Sequence, residues 1–229
     1  MFKILIFSLC LITVNSGKYD DSRPYAYEDM PCDAGYEDDE EMEPVKSDGC
    51  PREANGNCDP GWKNFTRPSG EWCMKVFFEN MTTFSNAQRN CEEVGGTLSS
   101  FQNQLEMLYV TYTVVDRIFP ESGIVWVGMK RTDACLNQLR NTNCTGFTAF
   151  EWTDGSANGT QGFHWTGYQP DNARLSQNCA MLIASPNRNV DGYQTGMLDD
   201  VDCDFDFTKP GYSLRSPKAY VCGKKPDIC

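Results

Sequence analysis

The chain has 229 residues, a formal net charge of −12 and a pI near 4.5, a balance that speaks against a nucleic-acid binder with its basic patch and against attraction to anionic lipid. Hydrophobic residues make up 40% and aromatics 12%, enough for one good-sized core with appendages or two small ones. Twelve cysteines point to an oxidising compartment, and a single histidine, His164, excludes chemistry that needs a histidine pair.

Residues 1–16 read MFKILIFSLCLITVNS. Lys3, the apolar run from Ile4 to Val14 and the small residues that follow have the make-up of a secretory signal, and the run is too short to cross a bilayer. Its removal would take Cys10 and leave eleven cysteines. No later stretch has 18 apolar residues in a row, since Asp116 and Arg117 interrupt Leu108 to Phe119, so a secreted protein without a membrane span is expected. Residues 17–57 form an acidic arm. Its first part, 17–50, holds twelve Asp and Glu against Lys18, Arg23 and Lys46. Like charges repel and little here can pack, which predicts a disordered tether; a solubilising linker is the plainer reading and a docking tail for a basic partner the other.

The folded part is expected over 58–224, with a short tail at 225–229. Lys75 to Glu79 reads as a strand. A helix is predicted from Ser85, with Gln88 at capping-box spacing, to Val94, where Gly95 and Gly96 stop it. Asn103 and Glu106 repeat that spacing before a second helix, whose predicted inner stripe is Leu105, Leu108, Tyr109, Tyr112, Val115 and Ile118, ending at Pro120. Strands follow at Ile124 to Met129, at Phe150 and Trp152 before the Asp154-Gly155 turn, at Ala180 to Ala184 and at Ala219 to Cys222. Two helices followed by short strands and long loops make an α+β class.

Several signals in order carry a resemblance. Cys58-Asp-Pro-Gly-Trp62 leads to Phe65 and Cys73. Ala87 to Cys91 precedes Gly95, Gly96 and Leu98. Then come Trp126-Val-Gly-Met129, Phe150-Glu-Trp152-Thr-Asp154-Gly155, Gln169-Pro-Asp171, Leu198-Asp-Asp-Val-Asp-Cys203 and Val221-Cys222. From Cys58 to Cys222 the chain resembles the C-type lectin-like domain family in its long form. The resemblance implies two helices, short antiparallel sheets and a long loop region clamped by disulfides. It implies the pairs Cys91–Cys222, Cys179–Cys203 and Cys58–Cys73, with Cys135 and Cys144 closing an inserted loop. Cys32, Cys50 and Cys229 remain, enough for one bridge and an odd thiol that could link two molecules.

Carried over by position, the family's calcium ligands fall on Gln169, Asp171, Gln177, Asp199 and Asp200. Calcium takes six to eight oxygens, and all five side chains offer one. Two depart from the family pattern, Gln177 where it has Glu and Asp199 where it has Asn. The implied function is a secreted carbohydrate-binding protein, calcium-dependent, with the galactose-type tripeptide Gln169-Pro170-Asp171 and a glycan or glycoprotein partner. The other reading is a calcium-independent domain of the same fold with a protein ligand. An enzyme with paired carboxylates ranks last, because adjacent Asp199 and Asp200 suit ligation better than glycoside cleavage. Asn172 and Ala173 stand where galactose binders place a stacking aromatic, and Pro170 is expected to be cis. Asn64, Asn80, Asn143 and Asn158 head sequons for N-glycosylation in a secreted chain.

Overall fold

The computed structural model describes residues 58–190, 192–205, 207 and 215–226. The signal-like start, the acidic arm, Cys32, Cys50 and Cys229 lie outside the described residues.

The chain opens with a hairpin, β1 (Lys63–Arg67) and β2 (Gly70–Phe78), in antiparallel register with Asn64 opposite Cys73. The helix α1 (Phe84–Glu93) begins one residue before the predicted start, because the Thr83 side chain accepts from the backbone N–H of Asn86 at 3.2 Å. Gln88 does not complete a capping box; its Oε1 accepts from the N–H of Leu98 at 3.1 Å and so docks the next strand, β3 (Thr97–Leu98), on the helix. Gly95 takes the helix out at a positive φ of 76°, a conformation that costs glycine little.

The helix α2 (Gln104–Ile118) is capped by Asn103, whose side-chain oxygen accepts from the N–H groups of Leu105 and Glu106. Its inner face is rotated from the predicted stripe. Met107, Val110, Thr111 and Val114 are buried, while Leu105 is 73% and Tyr112 50% exposed. Apolar side chains stand on most sides of this helix, so periodicity alone did not single out a face; packing against the strands did.

The remaining strands are β4 (Gly123–Arg131), β5 (Phe150–Trp152), β6 (Cys179–Ala184), β7 (Asn189–Val190), β8 (Tyr193–Gln194), β9 (Leu198–Val201) and β10 (Pro217–Lys224). The main sheet runs β1-β2-β10-β4-β6-β9, with β3 on β10 and β5 on β4; β10 and β4 are parallel. One core collects around Phe101, Val110, Val127 and Leu182, a second around Phe84, Trp126, Ile183 and Tyr220. Among the described residues the disulfides are Cys58–Cys73, Cys91–Cys222, Cys135–Cys144 and Cys179–Cys203, the pairs the resemblance implied. Beside Met74 and Trp72 of the first core, buried Arg67 donates to both Glu106 carboxylate oxygens, at 2.6 and 2.9 Å, and to the carbonyl of Ser100. Glu106 therefore anchors the hairpin to α2 instead of reaching back to Asn103. No helix among the described residues is long and apolar enough to cross a membrane.

Candidate functional site

The central strand β4 is longer than the sequence suggested. It continues through Lys130 to Arg131, and the alternation of a strand turns Arg131 inward beside Met129 while Lys130 faces out. The Arg131 guanidinium lies 4.5 Å from the centre of the Phe150 ring, its Nε donates to the carbonyl of Gln177 at 2.8 Å, and its Nη2 meets Asp200 Oδ2 at 2.5 Å. Both side chains of this ion pair are buried.

Asp200 sits on β9 opposite Ala180 of β6. Its carboxylate also accepts backbone N–H bonds, from Asp171 to Oδ1 at 3.1 Å and from Asn172 to Oδ2 at 2.8 Å. Its carbonyl accepts from the Gln177 side-chain amide at 2.9 Å. Gln177 Oε1 is engaged by the N–H of Ala173. Gln169 Oε1 accepts from the N–H of Asp171 at 3.0 Å, and Asp171 Oδ1 from that of Ala173 at 2.9 Å. The fold thus brings Gln169, Asp171, Gln177 and Asp200 together and holds them through one another. Asp199 is paired elsewhere, with Arg215 at 3.3 Å, and its Oδ1 makes no hydrogen bond among the described residues.

Burial raises the Asp199 carboxyl to about 8, helped by neighbouring Asp200, with Arg215 offsetting only part of the shift. Burial also raises Asp200, to about 6, against the pull of the Asn172 N–H and Arg131. Desolvation lowers Arg131 and the charge of Asp200 opposes it.

This donor set does not fit calcium as it stands. A calcium ion wants several carboxylate and carbonyl oxygens free to converge on it. Here the carboxylate and the carbonyl of Asp200, the Oε1 of Gln177 and one oxygen each of Gln169 and Asp171 already accept hydrogen bonds, and a guanidinium stands against Asp200. Among the described residues no group of three or more acidic, histidine or cysteine side chains is placed to hold a metal ion. Of the expected calcium ligands Gln169, Asp171, Gln177, Asp199 and Asp200, all but Asp199 are joined to one another by hydrogen bonds, and Arg131, two residues beyond the predicted strand, sets a positive charge against Asp200.

Asn172, which stands where galactose binders place a stacking aromatic, is a hub. It is fully buried in the left-handed region at φ 55°. Its amide nitrogen donates to the carbonyls of Leu136 at 3.1 Å and Gln138 at 2.9 Å, and its oxygen accepts from the N–H of Gln177 at 3.1 Å. It ties the loop closed by Cys135–Cys144 to the tripeptide. Arg140 adds a clamp from that loop, donating to the carbonyls of Tyr168 and Gln169. We expect Asn172→Ala to lose about 2 kcal/mol, since alanine tolerates the left-handed backbone poorly and leaves partly buried carbonyls without their donor. Equilibrium denaturation of the variant checks this; an unchanged midpoint would show that the loop holds without the hub.

The peptide bond before Pro170 is cis, as expected. Around the loop end, apolar side chains are turned to solvent: Tyr168 is 89%, Phe147 65% and Leu139 57% exposed. Beside them a groove of about 500 Å³ is lined by Arg140, Phe147, Phe163, His164, Trp165 and Gln169, among others. None of Arg131, Arg140 and Phe147 stood out in the sequence. The alternation of β4, had the strand been carried two residues further, would have found Arg131.

A family model described as "C-type lectin domain-containing protein 141/158" matches residues 60–225. The chain is 24% identical over 172 residues to the mouse (Mus musculus) secretory phospholipase A2 receptor, covering 75% of this chain and about a tenth (10%) of that receptor. It is 29% identical over 103 residues to the snaclec bothroinsularin subunit alpha of Bothrops insularis, covering 44% of this chain and 67% of that one. Among solved structures it is similar to the carbohydrate-recognition domain of the mouse scavenger receptor C-type lectin, at 23% identity and a TM-score of 0.46, over 75% of this chain and 99% of that one.

Proposed function

The chain belongs to the C-type lectin domain family, and on that footing we propose that it is an extracellular binding protein that works without calcium and presents its long-loop end to a protein or glycoprotein partner. The observation that carries this reading is the buried Arg131–Asp200 pair. It places a fixed cation where a calcium-dependent site needs free carboxylate, so the loop is organised by the chain's own side chains. Binding without turnover fits this arrangement, because the carboxylates are engaged in holding the loop. Four disulfides in the domain suit an oxidising, extracellular setting.

The partner face combines Leu139, Phe147 and Tyr168 with Arg140. Large exposed apolar groups gathered at one end mark interaction surfaces, and aromatic and arginine side chains carry much of the energy in such contacts. A second reading, direct glycan binding, is favoured by the retained cis Gln169-Pro170 tripeptide and the aromatic-lined groove beside it. In that reading sugar hydroxyls meet protein groups rather than a metal.

Titration calorimetry and thermal melting of the secreted protein with calcium and with chelator test the central claim. We expect no heat and no shift in melting midpoint at millimolar calcium. A saturable calcium response would overturn the reading. Arrays of extracellular proteins and of glycans, both run in chelator, then separate the two ligand classes. Tyr168→Ala and Phe147→Ala should each weaken whatever binds by roughly tenfold, and unchanged binding by both variants would move the partner face elsewhere.

A further inference from the structure

The turn after β2 carries a second groove, at the far end of that strand from the first hairpin. Its volume is about 380 Å³, and Phe78, Asn80, Arg117, Phe119, Glu121 and Lys218 line it with others. Phe119 is 71% and Phe78 43% exposed, and Met81 beside them 42%. Polar groups rim these rings: Lys218 meets Glu121 at 2.7 Å, and the Arg117 guanidinium lies 6.0 Å from the Phe78 ring centre.

The backbone fixes where Asn80 stands. The N–H groups of its two neighbours, Glu79 and Met81, are both bonded to β10, to the carbonyls of Lys218 at 3.1 Å and Pro217 at 2.9 Å. Asn80 lies between them at the groove wall, exposed, and heads the sequence Asn80-Met81-Thr82. Thr82 is only 4% exposed, so the sequon is readable before this turn folds. Asn64 differs, since its amide already donates to Glu71 at 2.6 Å.

We propose that Asn80 is a glycosylation site whose first sugar residues lie in this groove and cover Phe78 and Phe119. An oligosaccharide carried on a polyprenyl diphosphate is transferred to the side-chain amide. The bond from sugar C1 to the Asn80 nitrogen forms, the bond from C1 to the diphosphate oxygen breaks, the nitrogen loses a proton and the polyprenyl diphosphate leaves. The core N-acetylglucosamine unit has the chemistry the groove offers. Its ring carbons present an apolar face to Phe78 and Phe119, and its hydroxyls and acetamide reach the charged rim. Tethering at Asn80 removes most of the association cost that would otherwise oppose so small a contact. The proposal rests on the chain passing through the secretory route, but not on which partner the long loop binds.

The full chain, secreted from a eukaryotic host, tests it by glycopeptide mass spectrometry together with two variants. Asn80 should be occupied. Asn80→Gln should raise binding of a dye for exposed apolar surface roughly threefold and promote self-association, whereas Asn64→Gln should do neither. Phe119→Ser in the Asn80→Gln background should return dye binding toward the parent level. An unmodified Asn80 in protein that carries glycan at other sequons would overturn the proposal while leaving secretion intact. So would an Asn80→Gln variant that behaves like Asn64→Gln. Secreted protein without glycan at any sequon would overturn it too, whereas a chain that the host retains would instead remove the secretory premise.

Discussion

Arg131→Met should destabilise the domain by about 3–5 kcal/mol, the range for breaking a buried ion pair from one side. The loss comes less from the missing attraction than from what remains. Asp200 would keep its charge with no counter-ion, in a place where both it and Arg131 are shut away from water. The N–H groups of Asp171 and Asn172 would still bond to it, so the cheapest response would be for the carboxyl to bind a proton. Arg131 also packs on Phe150 and bonds to the carbonyl of Gln177, so the loop behind the tripeptide should loosen too. A second variant separates these effects. Arg131→Met with Asp200→Asn removes the stranded charge but keeps an acceptor for the two backbone N–H groups, and should recover roughly half the loss. Equilibrium unfolding in denaturant measures both. If Arg131→Met unfolds at the parent's midpoint, the pair does not hold the loop, and Asp200 is free to serve a metal ion.

Asp199→Asn should act in the opposite direction, stabilising the domain by up to about 5 kcal/mol near pH 8. The carboxyl of Asp199 rises from an ordinary value of 3.8 to about 8 in the folded chain, chiefly through burial. A group that holds its proton more tightly when folded favours folding fully below its unfolded pKa, and that advantage is lost as pH climbs to the folded value. The window for Asp199 is therefore about pH 4 to 8. Asp200, raised to about 6, adds its own loss over the lower half of the same window. Asparagine has the shape of the neutral acid and cannot ionise, so the variant escapes the Asp199 part. The difference in stability between variant and parent should be near zero at pH 4, grow steadily and level off above pH 8. A difference that stays flat across that range would mean that Arg215, 3.3 Å away, neutralises the charge more fully than burial penalises it.

Much of the architecture was legible in the chain. The family resemblance, carried by cysteine order and the turn and tryptophan signals, implied the four bridges, and glycine pairs and apolar runs placed both helices and half the strands. These are local or ordered features, readable one residue after another. The predicted stripe on α2 held in part: Tyr109, Val115 and Ile118 pack partly buried against the core, while Leu105 and Tyr112 face solvent, because apolar residues surround that helix and its neighbours selected Met107, Val110 and Val114 for full burial. The candidate site was legible as residues but not as chemistry. Gln169, Asp171, Gln177 and Asp200 do meet, yet the chain alone could not show that they bond to one another.

What the sequence determined by itself was composition and order: an acidic chain rich in cysteine, an α+β pattern, and a tripeptide and acidic pair in the positions of a metal site. Whether those acids are free was a tertiary matter. Arg131 and Asp200 are 69 residues apart and become neighbours only because β4 and β9 flank β6 in the sheet. Charge in a sequence is counted along the chain, but the fate of a carboxylate depends on what the fold places against it and how much water it removes.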